Sequence, residues 1–163
     1  MKKAIALLVF MSLLLSSCHI YQEKSMDEIV SKYSSYTDAI QAFDSSLVVI
    51  KEEYPCANGD YIVMYSVHTE QGGLYAIKFT CVSSTKAKLT ILFYDAEEYL
   101  DEYHLNLLSS FITLFNQSGI SEDQAKKGCE SIKEKNYVRF NSHSSLSWEE
   151  DSSFIDYYEK YLK

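Results

Sequence analysis

Apolar residues recur every three or four positions in four stretches of the chain, and each stretch opens on a residue pair suited to capping a helix. Ser25 with Glu28 opens the first, which sets Met26, Ile29, Val30, Tyr33, Thr37, Ile40 and Phe43 on one face. Asp95 with Glu98 opens the second, with Leu100, Tyr103, Leu107, Leu108, Phe111, Leu114 and Phe115, and Gly119 stops it. Ser121 with Gln124 opens a weaker third, carrying Ala125, Cys129 and Ile132. Ser147 with Glu150 opens a fourth that gathers Phe154, Ile155, Tyr158, Tyr161 and Leu162.

Between the first two helices the period shortens to two, the spacing of a strand with one buried face. Tyr61 to His68 and Leu74 to Val82 flank Gly72-Gly73, a hairpin signal. Lys88 to Tyr94 follows a short loop around Ser83-Ser84-Thr85, and Ile77, Phe79 and Cys81 then share a side with Leu89, Ile91 and Phe93. Leu47 to Glu52 is an earlier strand joining this meander, and Tyr137 to Phe140 is a candidate edge strand. A sheet with one apolar face needs helices to cover it, so the expected class is α+β. Its expected order is an N-terminal helix, a four-stranded antiparallel meander, then three helices with a short edge strand, in one domain over 26–163. In element order alone the helix-then-meander opening resembles the cystatin-like and nuclear-transport-factor-like arrangements, and such a likeness implies no function.

The first residues read differently. Lys2 and Lys3 form a basic start, and the apolar run Ala4 to Leu15 is too short to span a bilayer but matches a secretory signal. It ends Leu15-Ser16-Ser17-Cys18, which resembles the bacterial lipobox: an aliphatic residue, two small residues and the cysteine. The resemblance implies that residues 1–17 are a signal peptide and that cleavage falls between Ser17 and Cys18. It further implies that Cys18 carries the lipid, with residues 18–25 as a short lipidated tether. Two acyl chains anchor stably where one binds marginally. Position 19 is His rather than the Asp that retains enterobacterial lipoproteins at the inner membrane, which implies the outer membrane where the organism has one.

Charge narrows the partners. The chain holds 15 basic and 23 acidic residues, a net of −8, and loses Lys2 and Lys3 with the signal. That balance opposes nucleic-acid binding and predicts that any charged partner is basic. Export places Cys56, Cys81 and Cys129 in a disulfide-permissive compartment. Cys56, between the first two strands, and Cys81, ending the third, fall at one end of the meander. Cys56–Cys81 is the expected disulfide, with pairings of Cys129 or no bridge still open.

Chemistry is sparse. His19, His68, His104 and His143 show no helical metal spacing and no Cys-x-x-Cys exists, so no metal, cofactor or catalytic residue is assigned. Asp95, Glu97, Glu98, Asp101 and Glu102 suit the positive end of a helix, the alternative being a cation site or an acid–base pair. Tyr61 and Tyr65 share a strand face and form a candidate binding face for a protein or glycan. The expected function is a membrane-anchored lipoprotein, attached to the bilayer through acylated Cys18, that binds a protein or envelope component without catalysis. The rivals are a small-ligand binder and an envelope enzyme with a site assembled from distant residues, His104 with Asp101 for example.

Overall fold

Among the described residues, 26–148 and 153–160 of the computed structural model, seven strands pair in one antiparallel sheet. They are β1 (Val48–Pro55), β2 (Tyr61–His68), β3 (Leu74–Ser83), β4 (Lys86–Tyr94), β5 (Tyr137–Arg139), β6 (Ser144–Trp148) and β7 (Phe154–Lys160). Their order across the sheet is β1-β2-β3-β4-β7-β6-β5. The expected signal, Ser17, Cys18 and the tether to residue 25 lie outside the described residues, as do Glu150, Tyr161 and Leu162.

Strands β1 to β4 form the meander expected from the alternation. The sheet is nevertheless larger than four strands, which corrects the expected architecture. Its fourth helical stretch is not a helix: β6 and β7 occupy it, and β7 inserts beside β4. The reason lies in the sequence of β7. Phe154-Ile155 and Tyr157-Tyr158 are apolar doublets that satisfy a helical period and a strand period at once. Aromatic and β-branched residues favour the strand, where Ile155, Tyr157 and Glu159 turn inward and Phe154, Asp156, Tyr158 and Lys160 outward.

The first two helical stretches each break in two. Helix α1 (26–33) ends where the Ser34 hydroxyl donates back to the Val30 carbonyl, and α2 (Thr37–Gln41) starts after a bend. In the second stretch Asp95 adopts a left-handed conformation and caps nothing with its side chain, so only the short α3 (Ala96–Tyr99) follows it. The effective cap is Asp101, whose carboxylate accepts from the His104 amide at 2.9 Å and starts α4 (Glu102–Phe115). Helix α5 (Glu122–Lys135) has the Ser121–Gln124 capping box in both directions. Among the described residues no helix is long and apolar enough to cross a membrane.

Helices cover one face of the sheet. Beneath them Val63, Tyr65, Tyr75, Ile77, Phe79, Leu89, Ile91, Phe93, Ile155 and Tyr157 are fully buried, and Phe111 of α4 packs edge-on against Tyr75. Tyrosine serves this core because its hydroxyl can end on a backbone or carboxylate group at the core's margin. Tyr75 donates to the His104 carbonyl at 3.0 Å, and Tyr157 donates to the buried Glu159. Glu159 also accepts from the Gln117 amide at 2.9 Å, so both its oxygens are satisfied without a cation.

Candidate functional site

Side chains alternate along every strand, so whatever the helices do not cover forms a second, open face. The register places its residues in rows. Ile50, Ser66, Ala76, Leu92 and Asp156 make one row from β1 to β7, and Glu52, Met64, Lys78, Thr90 and Tyr158 the next. Tyr54, Ile62, Thr80, Lys88 and Lys160 make a third. Val48, Ile50, Tyr54, Phe154 and Tyr158 are exposed apolar residues on this face, Val48 by 57% of its surface and Ile50 by 50%.

The face is graded. The Val48 and Phe154 end is apolar, while Lys78, Lys88 and Lys160 lie toward the other end, where Arg139 of β5 extends the second row through Ser145. None of these four cations is in an ion pair among the described residues, whose lysine pairs are Lys51–Glu53 and Lys127–Asp123. Lys88 and Lys160 stand directly opposite on neighbouring strands, an arrangement that repels. The acidic net charge of the chain therefore does not describe this surface. Asp156 is the carboxylate nearest the sheet's centre here. Burial raises its pKa, Lys78 partly opposes that, and its Oδ1 has no hydrogen-bond partner among the described residues.

At the β5–β6–β7 corner of the same face is a cleft of about 390 Å³ lined by Tyr137, Arg139, His143, Ser145, Tyr158 and Lys160, among others. Arg139 Nε donates to the Asn141 carbonyl at 3.0 Å, which fixes the guanidinium plane. Asn141 Oδ1 accepts from the His143 amide at 2.8 Å, and the Lys160 amide donates to the His143 carbonyl at 3.0 Å. The loop bearing His143 is thus tied to β7.

The residues singled out from the sequence lie elsewhere. Tyr65 is fully buried on the covered face, where its hydroxyl donates to the Tyr33 carbonyl and accepts from the Tyr36 amide at 3.1 Å. Tyr61 is half-buried against the same core. They do share a strand face, but it is the covered one, where Tyr65 has no exposed surface to offer a partner. Cys56, Cys81 and Cys129 are each free, so the expected Cys56–Cys81 bridge is not formed. Cys81 faces the core opposite Tyr61, whereas Cys56 lies one residue beyond Pro55 in the turn, out of phase with that face. Burial pushes the Cys81 thiol up to about 11 and the Cys129 thiol to about 12, far from reactive thiolates. No group of His, Cys, Asp and Glu suited to a metal occurs among the described residues.

His104 and Asp101 do come together. His104 Nδ1 is 2.8 Å from Asp101 Oδ1, and its Nε2 is 2.9 Å from the Gly72 carbonyl and 3.4 Å from the Thr69 hydroxyl. The order acid, imidazole, hydroxyl has the look of a nucleophilic relay. The Thr69 hydroxyl, however, donates to the Gly72 carbonyl, and His104 is only 1% exposed. Its ring packs on Phe93, and a Cβ added at Gly73 would approach its Nε2 to 3.2 Å. The imidazole locks the β2–β3 turn onto α4 and leaves no room for a substrate. Burial raises the Asp101 carboxyl, but the bonds from His104 outweigh it and hold the carboxyl below its usual range, as befits a helix cap.

The open-face cations escape sequence reasoning because they sit on four strands whose order in the sheet is not their order in the chain. The one local signal is Lys86-x-Lys88-x-Thr90, a polar phase within an alternating strand. Comparison of the chain with protein-family models, with curated proteins and with solved structures gives no match.

Proposed function

We propose that the chain is an exported binding module, anchored by acyl chains on Cys18, whose open sheet face engages an anionic component of the cell envelope without catalysis. The observation that carries this reading is the inequality of the two sheet faces. One is packed under helices with its buried polar groups bonded internally, while the other presents exposed Ile50, Phe154 and Tyr158 beside unpaired Lys78, Lys88 and Lys160. Apolar area of this kind supplies affinity, and the charge graded across it supplies orientation and partner choice. The one imidazole–carboxylate pair among the described residues is committed to a turn, which favours contact over chemistry. The lipobox resemblance supports the address: a tether from His19 to Lys24 would keep the module close to the bilayer.

The test is position-specific cross-linking in intact cells. A photoreactive residue at Ile50 or Thr90 should trap a partner, whereas one at Lys126 on the solvent side of α5 should not. Equal adducts from both sides, or none from the open face, would overturn the reading. Mass spectrometry of the native chain should find its N-terminus at a diacylated Cys18, and an unmodified Cys18 would remove the anchor.

A further inference from the structure

Resting on the reading of the open face as the binding face, we propose that the β5–β6–β7 cleft recognises an oxyanion carried on a sugar ring, as a phosphate or a carboxylate. Charge comes first. Arg139 and Lys160 line the cleft, Lys88 stands opposite Lys160, and no carboxylate is among the described lining residues. Cross-strand repulsion between Lys88 and Lys160 is relieved when an anion sits beside them.

Geometry adds direction. The Nε bond to the Asn141 carbonyl holds the Arg139 guanidinium while its terminal nitrogens donate to no described residue, leaving a fork suited to a two-oxygen acceptor. Arg139 and Tyr158 share a row through Ser145, which sets their backbones about 10 Å apart across two strand spacings. Lys160 is two residues further along the same strand as Tyr158 and on the same face. An anion held between the two cations therefore lies beside the Tyr158 ring.

Size and lining suit an occupant larger than a bare ion. At about 390 Å³ the cleft lies within the span of small-molecule sites, roughly 300–1,000 Å³. Its walls combine two exposed tyrosines, Tyr137 at 54% and Tyr158 at 38%, with serine hydroxyls and Asn141. Aromatic faces take the C–H side of a sugar, and hydroxyl and amide groups take its rim. The backbone ties from His143 to Lys160 and from Phe140 to Ser144 (3.2 Å) mean that the cleft is formed before a ligand arrives.

Calorimetric titration of the full chain in mild detergent at low salt tests this, with glucose 1-phosphate, glucuronic acid, glucose, inorganic phosphate and phosphatidylglycerol vesicles as probes. At least one of the two sugar anions should bind saturably and more tightly than inorganic phosphate, glucose should be silent, and the choice between phosphate and carboxylate follows from which anion binds. The doubly substituted Arg139→Gln, Lys160→Gln chain should lose at least tenfold in affinity while keeping the circular dichroism spectrum and cooperative unfolding of the parent. Lys126→Gln, an exposed cation of α5 that does not line the cleft, should change nothing. Binding that survives the double substitution, or glucose or phosphate binding as well as the sugar anions, would overturn the proposal. So would binding of the vesicles alone. The two readings fail separately: cross-links from Ile50 without sugar-anion binding leave the open face standing and remove the cleft. Sugar-anion binding lost in the double variant, without any cross-link, supports the cleft and removes the wider docking face.

Discussion

Replacing Tyr65 by Phe deletes one oxygen, and the fold should register it. That hydroxyl bridges the break between α1 and α2 to strand β2, donating to the Tyr33 carbonyl and accepting from the Tyr36 amide. At Tyr36 the chain has left the helix, so its amide has no carbonyl four residues back to return to. A made hydrogen bond is worth about 1 kcal/mol net, and a buried group left unsatisfied costs about 1–3 kcal/mol. Water reaches the half-buried Tyr36 side, so the loss should be about 2 kcal/mol in all. For a chain of this size that lowers the melting temperature by about 7 °C. The assay is thermal unfolding by circular dichroism of the full chain, beside Tyr158→Phe, whose exposed hydroxyl has no described partner and should leave the transition unmoved. An unchanged transition in Tyr65→Phe together with lost cross-linking to the partner would refute the reasoning, for it would make Tyr65 a surface contact.

Three further outcomes follow from geometry already given. In the native chain iodoacetamide should modify Cys56 and spare Cys81 and Cys129, which should react only after unfolding; peptide mass spectrometry reads this, and a linked Cys56–Cys81 peptide would contradict the free thiols. Asp156→Asn should raise stability near neutral pH by about 0.5–1 kcal/mol, the smaller end reflecting partial exposure. The sign follows from a raised acid: folding is penalised while the carboxylate is ionised, the penalty eases as pH falls through the folded-state pKa, and the variant's advantage should fade toward about pH 4, where melting curves would show the two chains converging. Gly73→Ala, at φ +86 with Phe93 Cε2 2.9 Å from the new Cβ, should destabilise by about 2 kcal/mol or more, and an unaltered melting temperature would mean that the turn is free to shift.

The meander was legible because three independent signals agree there: alternation, the Gly72-Gly73 turn and the apolar match between β3 and β4. The C-terminal strands were not, because the doublets of β7 fit two periods and its partner β4 is distant in sequence. Helix breaks were missed where caps compete. Asp95 and Asp101 both offer a carboxylate ahead of an apolar run, and what selects Asp101 is His104 packing under the turn at Gly72. The tyrosine pair was read on the correct strand face but with that face turned outward, since alternation tells which residues share a side and not which side the helices take. The cleft was invisible for a related reason: Arg139 and Lys160 meet only once β6 has paired with both of its neighbours.

Strand β7 lies between β4 and β6, yet β4 ends at Tyr94 and β7 begins at Phe154. The middle of the sheet is thus the part finished last. Until residues 154–160 arrive, β4 offers a bare hydrogen-bonding edge flanked by Leu89, Ile91 and Phe93, and the β5–β6 hairpin has nothing to dock against. Pairing across so long a stretch of chain is slow, because the loop must close before any contact rewards it. In a chain threaded outward from its N-terminus, native structure would then be withheld until residues 154–160 have emerged. The same delay leaves an unpaired edge open to a second chain, so crowding at the exit side would favour strand exchange between neighbours over silent failure to fold.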